Sequence, residues 1–294
     1  MRLLFKFSAI FTVVFGIGAV IICWLSYRLF QDGARTQVLN QAQLMMQAMR
    51  SVRDYTNVQV KNLLRPIEER DQSFLPQTVP AFAASENFKF IRASFPDYNY
   101  KEAALNPTNP SNRATEWESD IITAFRNAPN LKQLTGERES ATGPSLYLAE
   151  PMRAGHACLE CHSQPAAAPQ AMVAKYGPNN GFGWTEGDVI AAQIISVPMS
   201  VPLQQAGKEY RALLGSLAVI FLASLIVLNV VLYFMIARPA TQLAEMANRI
   251  SLGELDVPEL PVKGKDEVAT LAESFNRMRR SLAAAMKMLG ENDR

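Results

Sequence analysis

"FSAIFTVVFGIGAVIICWLSY", Phe7 to Tyr27, and "ALLGSLAVIFLASLIVLNVVLYFMIA", Ala212 to Ala237, contain no charged residue, although charged residues make up 19% of the 294-residue chain. The hydrocarbon core of a bilayer is about 30 Å thick and a helix rises ~1.5 Å per residue, so each stretch is long enough to cross, the second with some tilt. Two crossings put both chain ends on one side of the membrane. Arg2 and Lys6 before the first, with Arg238, Arg249, Lys263 and Lys265 after the second, make that side the cytoplasm. Arg2 and Lys6 would also suit a removable signal peptide, but the apolar run exceeds the usual length and no small-x-small cleavage site follows, so an uncleaved anchor is expected. Cys23 lies within it and reads as a buried apolar residue.

Working outward, the expected order is a cytoplasmic N-terminus (1–6), a first span (7–27), an outer domain (28–211), a second span (212–237), a cytoplasmic helical hairpin (238–289) and a tail (290–294). The outer domain is placed in the periplasm of a bacterial inner membrane, where thiols are oxidised or covalently used. A net charge of +2 gives no reason to expect nucleic-acid binding.

In the outer domain, Val38, Ala42, Met45, Met49 and Val52 recur at helical steps, which predicts one helix from the membrane to about Asn62, ended by Pro66. "NFKFIRASF" (87–95), "SLYLAEPMRA" (145–154) and "GDVIAAQIISVPMSV" (187–201) read as strands. The Asn109–Arg113 region starts a helix that carries Trp117, Ile121, Ile122 and Phe125. Strands with helices at one side predict an α+β module resembling PAS or Cache domains.

"HACLECH", His156 to His162, holds both histidines and two of the three cysteines. Cys158 and Cys161 stand three apart, so one helical turn points both sulfurs the same way, and His162 follows directly. This is the pattern of c-type haem attachment, in which the thiols add across two vinyl groups and the imidazole ligates the iron. One covalent haem c per chain is expected. A zinc site of His156, Cys158, Cys161 and His162 is the first alternative, and a redox dithiol the second. His162 is the expected metal ligand. For the opposite axial position the candidates are an open site or a thioether from the helix, Met49 first, then Met45 and Met46. "YGPNNGFGW" (176–184) offers Tyr176 and Trp184 to the cofactor, and Arg50, Arg53 and Lys175 are candidate partners for its carboxylates.

After the second span, Pro239, Leu243, Met246 and Ile250 form one seam, and Val268, Leu271, Phe275, Met278, Leu282, Ala285 and Leu289 a second. Two short helices joined by a Pro-containing connector do not bury both seams alone, whereas a dimeric parallel four-helix bundle does. Pro239, Gly253 and "DEVATLAESFNRM" (266–278) resemble a HAMP linker. "VRDYTN" (52–57), "FPDYNYKEAALNPTNPSNRATEWE" (95–118), "CLECH" and "YGPNNGFGW" resemble the c-haem-binding periplasmic sensor domain family, long catalogued as a domain of unknown function and often fused to HAMP linkers.

The resemblance implies haem-based sensing of redox state or of a diatomic gas. The expected protein is a homodimeric, non-enzymatic membrane sensor with no catalytic residue, which signals through HAMP to a separate kinase, cyclase or chemoreceptor-like partner, because no output segment follows. The alternative is a membrane-anchored c-type cytochrome that carries electrons to a redox partner.

Overall fold

The computed structural model describes residues 2–141, 143–254, 256–261, 264 and 266–292, without the side chains of residues 2, 3, 287 and 289–292. The chain divides into two units, residues 28–209 and the membrane-proximal set 1–27 with 210–294.

The first unit is built on an antiparallel sheet of β1 (Asn99–Ala104), β2 (Leu134–Ser140), β3 (Gly143–Arg153) and β4 (Val189–Pro198), in the order β1-β4-β3-β2. β4 is buried along nearly its whole length, as a central strand covered on both faces must be. Edge strand β2, "LTGERES", is mostly exposed and charged, which discourages pairing with another chain. The expected strands at 145–154 and 187–201 match β3 and β4, whereas β1 and β2 were not anticipated.

Helix α1 (Arg2–Tyr55) runs unbroken into a π-turn, Thr56–Val60, and then α2 (Lys61–Asp71). Pro66 therefore sits inside a helix and does not end one. Downstream, the Glu68 side chain accepts from Leu75 N–H at 2.8 Å and from Thr78 Oγ1 at 3.3 Å, tying the end of α2 to the 3₁₀ turn Pro76–Thr78. Ala34, Val38, Ala42, Met46 and Met49 form the buried face of α1. Val38, Ala42, Met46 and Met49 pack on Leu146, Leu148, Ile195 and Val197 of the sheet and on Phe88 and Tyr100.

The segment expected as a strand at 87–95 belongs to helix α3 (Pro80–Ser94). Pro80 opens it at the first turn, and the deciding period is Ala84 to Phe88 to Ile91, which face the core, while Phe90 is 78% exposed. Helix α4 (Glu116–Asn127) begins later than expected, after a 3₁₀ turn at Pro110–Asn112, where Glu118 accepts the Thr115 N–H at 2.7 Å. Ile121, Ile122 and Phe125 cover the sheet around Ala149, Ala192 and Ile194. Two short helices, α5 (His156–His162) and α6 (Gln170–Tyr176), stand between β3 and β4.

In the second unit, α7 (Ser200–Leu232) passes through a π-turn, Tyr233–Ala237, into α8 (Arg238–Ser251), and α9 (Glu267–Asn292) follows the connector. Two helical stretches, within Leu4–Asp71 and Ser200–Ser251, are long and apolar enough to cross a membrane. Between them Ser8 Oγ donates to Asn229 Oδ1 at 2.8 Å, and Phe11 and Phe221 stack at 6.0 Å. Connector residues Val257 and Leu260 are buried with Ala269 and Ala272, and Asn276 makes two 3.0 Å hydrogen bonds to the Leu260 backbone. The other apolar stripe of α9 is open: Leu271, Met278 and Leu282 are exposed. Lys263 and Lys265 lie outside the described residues, as does the side chain of Leu289.

Candidate functional site

A cavity of about 900 Å³ lies in the first unit, walled by Arg53, Asp54, Asn57, Lys61 and Arg65 on one side and by α5, α6 and the loop before β4 on the other. Its volume falls within the ~300–1,000 Å³ typical of small-molecule sites. Cys158, Cys161, His162, Tyr176 and Trp184 all line it, so five of the expected site residues converge.

Helix α5 presents the cluster. Cys158 N–H is held by the Gly155 carbonyl at 2.9 Å at the start of the helix, and both cysteines are free and half-buried. Burial pushes the Cys161 thiol up, against the opposing pull of Lys61, so it rests as a thiol and not as an activated thiolate. Among the described residues no three His, Cys, Asp or Glu side chains gather into a metal cage, so the four-ligand zinc arrangement is not assembled.

His162 is held by a hydrogen bond at one ring nitrogen and by a stacked ring on its face. Nδ1 lies 2.6 Å from the Gly181 carbonyl oxygen and 3.4 Å from Thr108 Oγ1, and its ring stacks on Trp184 with centroids 4.0 Å apart at 17°. A carbonyl only accepts, so Nδ1 carries the proton and donates. The lone pair of the neutral ring then sits on Nε2, the arrangement of a metal-ligating imidazole whose tautomer is fixed by its neighbour. Burial lowers the imidazole pKa and the Gly181 bond partly restores it, which keeps the ring neutral near pH 7.

The loop "YGPNNGFGW" is shaped for this contact. Gly181 has φ of +81°, and a Cβ there would fall 1.9 Å from Thr108 Oγ1 and 2.8 Å from Thr108 N. The Ser163 carbonyl receives Gly183 N–H at 3.0 Å and the His162 carbonyl receives Trp184 N–H at 3.3 Å, fastening the loop to the end of α5.

The cavity floor carries a buried charge network that the sequence reading missed. Arg53 donates to both Glu102 oxygens at 2.5 Å, Tyr100 OH donates to Glu102 Oε1 at 2.6 Å, and Gln193 Nε2 donates to Tyr100 OH at 3.0 Å. Burial opposes the Arg53 charge, but Glu102 and Tyr100 outweigh it and raise the guanidinium pKa. Burial and the adjacent carboxylate push the Tyr100 phenol well up, so it stays protonated. The signal that was available is the strand alternation Tyr100, Glu102, Ala104, which puts an acid on an otherwise buried face.

The other expected site residues lie elsewhere. Met46 and Met49 are buried in the core between α1 and the sheet, with Met45 half-buried beside them, and none of the three lines the cavity. The seam turns them toward the sheet, so they are core side chains; the cavity methionines are Met152 and Met172. Arg50 pairs with Glu150, and Lys175 lies 5.6 Å above the Tyr176 ring.

Comparison with known proteins places this geometry. Residues 31–198 match the family described as Tll0287-like, and residues 231–284 match the HAMP domain. A solved structure described as that of the cyanobacterial heme-protein Tll0287 aligns with a TM-score of 0.42 at 15% identity, covering 54% of this chain and 94% of its own. No curated protein matches the chain. With more than half of its length matched, including every residue of the His162 site, the chain belongs to the Tll0287-like family and carries a HAMP domain that begins within the end of its second apolar stretch.

Proposed function

We propose that the chain is a membrane-bound sensor carrying one haem c, tethered through Cys158 and Cys161 and ligated by His162, whose HAMP domain passes the state of that site to a separate output protein. The observation that carries this reading is the His162 tautomer: Nδ1 is committed to the Gly181 carbonyl, and Nε2 is left for a metal beside two thiols three residues apart. The donor set and the cavity fit the group. When bound, it supplies an iron centre that changes oxidation state or takes a diatomic gas.

The chain's residues do the rest. Trp184 fixes the plane of the imidazole. Lys61 and Arg65, held in the structure by Glu160 and Glu69, are the lining cations whose exchangeable ion pairs could turn to the carboxylates of a bound haem, while Arg53 stays committed to buried Glu102. Met45, Met46 and Met49 are committed to the core, so a thioether for the cofactor would have to come from Met152 or Met172, the methionines that line the cavity. The four-stranded antiparallel sheet is read as PAS- or Cache-like and placed in the bacterial periplasm, with both termini cytoplasmic. The open stripe Leu271, Met278 and Leu282 is read as the inner seam of a dimeric four-helix bundle.

The test uses full-length protein from cells competent for cytochrome maturation. A pyridine haemochrome spectrum of the c type and a polypeptide mass raised by one haem are expected; a bare polypeptide mass overturns the reading. Cysteine crosslinking along α9 should differ between ferric, ferrous and CO- or NO-treated protein. Identical crosslinking in all states would remove the signalling role and favour a membrane-anchored electron carrier.

A further inference from the structure

Two methionines line the cavity, and their surroundings separate them. Met152 of β3 packs on Ala104, Ala154, Ile190 and Ala191 together with Trp184, the ring that stacks on His162. Its thioether is thus committed to the wall that also holds the stacking ring. Met172 differs. It is 4% exposed, it is the one buried residue of the seven-residue helix α6, and among the described residues it packs in none of the three apolar clusters. A methionine that only fills space does so within a cluster, as Met46 and Met49 do under α1.

The path of the chain carries α6 away from α5 and back. The Ser163 carbonyl receives Gly183 N–H, so residues 164–182 leave the end of α5 and rejoin it. The middle of this excursion is fastened elsewhere: Tyr176 meets Phe74 edge-on with centroids 6.1 Å apart, and Phe74 stands next to Leu75 in the loop that Glu68 ties to α2. The Pro169 carbonyl receives both Met172 N–H at 3.0 Å and Val173 N–H at 3.1 Å, which fixes the turn that presents Met172. A buried thioether is therefore held at the cavity on a separately anchored helix.

We infer that Met172 supplies the second axial ligand of the haem iron, opposite His162, and that the stimulus at this site is accordingly a change of oxidation state and not capture of a gas. This rests on the haem c reading given above and names the regulation of that same site. A neutral thioether opposite an imidazole favours the ferrous state and raises the potential. Reduction by a one-electron carrier, which loses the electron that the ferric iron gains, then makes and breaks no bond at the iron. A gas has first to displace the sulfur, which lowers its apparent affinity by the fraction of iron left open.

The experiment is absorption spectroscopy and redox titration of full-length protein from cells competent for cytochrome maturation, with haem attachment checked by mass. Ferric wild-type protein is expected to show the sulfur-to-iron charge-transfer band at the far-red edge of the visible spectrum. Met172→Leu, which nearly keeps the volume, should lose that band, lower the midpoint potential and bind CO on the order of ten-fold tighter or more, because the internal competitor is gone. Met172→His should keep the haem and a six-coordinate iron, lack the band and titrate at lower potential; it decides the matter if Met172→Leu fails to mature. No band in haem-loaded wild type, a band that survives either substitution of Met172, or a band lost in Met152→Leu overturns the assignment. Protein without covalent haem strikes the haem c reading itself, whereas haem c without the band strikes only the role of Met172.

Discussion

His162 has both ring nitrogens assigned by its surroundings, and the residue that assigns them is a glycine. Replacing Gly181 by alanine forces a side chain onto Thr108 at a φ that L-residues avoid, at a cost of at least about 1–2 kcal/mol, and moves the carbonyl that holds Nδ1. Gly181→Ala should lower the melting temperature and weaken the haem absorption of whole protein together. The imidazole also gives the cofactor-free domain a pH dependence. Its folded pKa lies below that of the unfolded chain, about 6.5, so the unfolded state binds the proton first. Stability is fully present above that value and falls as pH drops through it toward the folded pKa. Urea titrations of cofactor-free protein at pH 8 and pH 5.5 check the sign. His162 and the two cysteines were legible because their chemistry is local in sequence. Thr108 and Gly181 were not, because their role exists only once the chain brings residues 54 and 19 positions away to one ring.

Among the elements, the legible ones had their burial period matched by their neighbours. β3 and β4 alternate or run apolar between turn residues, and α4, α8 and α9 show plain helical stripes. Helix α3 was misread because Phe88 and Phe90 imitate a strand's two-residue period, while the four-residue step from Ala84 starts outside the quoted stretch. β1 was hidden by its polar members, Lys101 and Glu102, each of which is paired. Lys101 reaches Glu118 at 2.8 Å, and Glu118 also caps α4. Glu118→Ala removes the cap and leaves a half-buried ammonium without its carboxylate; a loss of about 1–3 kcal/mol is expected in chemical denaturation. The Arg53–Glu102 pair ties α1 to the sheet at the cavity floor, with Glu102 only 3% exposed. Glu102→Ala leaves a buried guanidinium unpaired and should cost about 3–5 kcal/mol, whereas replacing both partners by apolar residues should cost much less. A double-mutant cycle on the outer domain measures the difference.

For the molecule as a whole, two charge-free stretches set the architecture, and the structure turns each into part of a longer helical run, within Leu4–Asp71 and Ser200–Ser251. Ala269, Ala272 and Asn276 of α9 are covered by its own connector, while Leu271, Met278 and Leu282 are exposed, the face that the proposed dimeric bundle would cover. Leu271→Glu combined with Met278→Glu should shift detergent-solubilised protein toward monomer in light scattering and leave the haem spectrum unchanged. The Ser8 to Asn229 hydrogen bond has a different kind of consequence. In the hydrocarbon of the proposed membrane setting no water waits to replace a lost partner, so this bond would pin the two apolar helices at one depth relative to each other. A one-residue slide of either helix, about 1.5 Å, leaves the Asn229 amide oxygen without a donor until another is met, while its NH2 stays on the Leu225 carbonyl. The bond therefore acts as a detent: small drift is resisted, and displacement proceeds in whole steps.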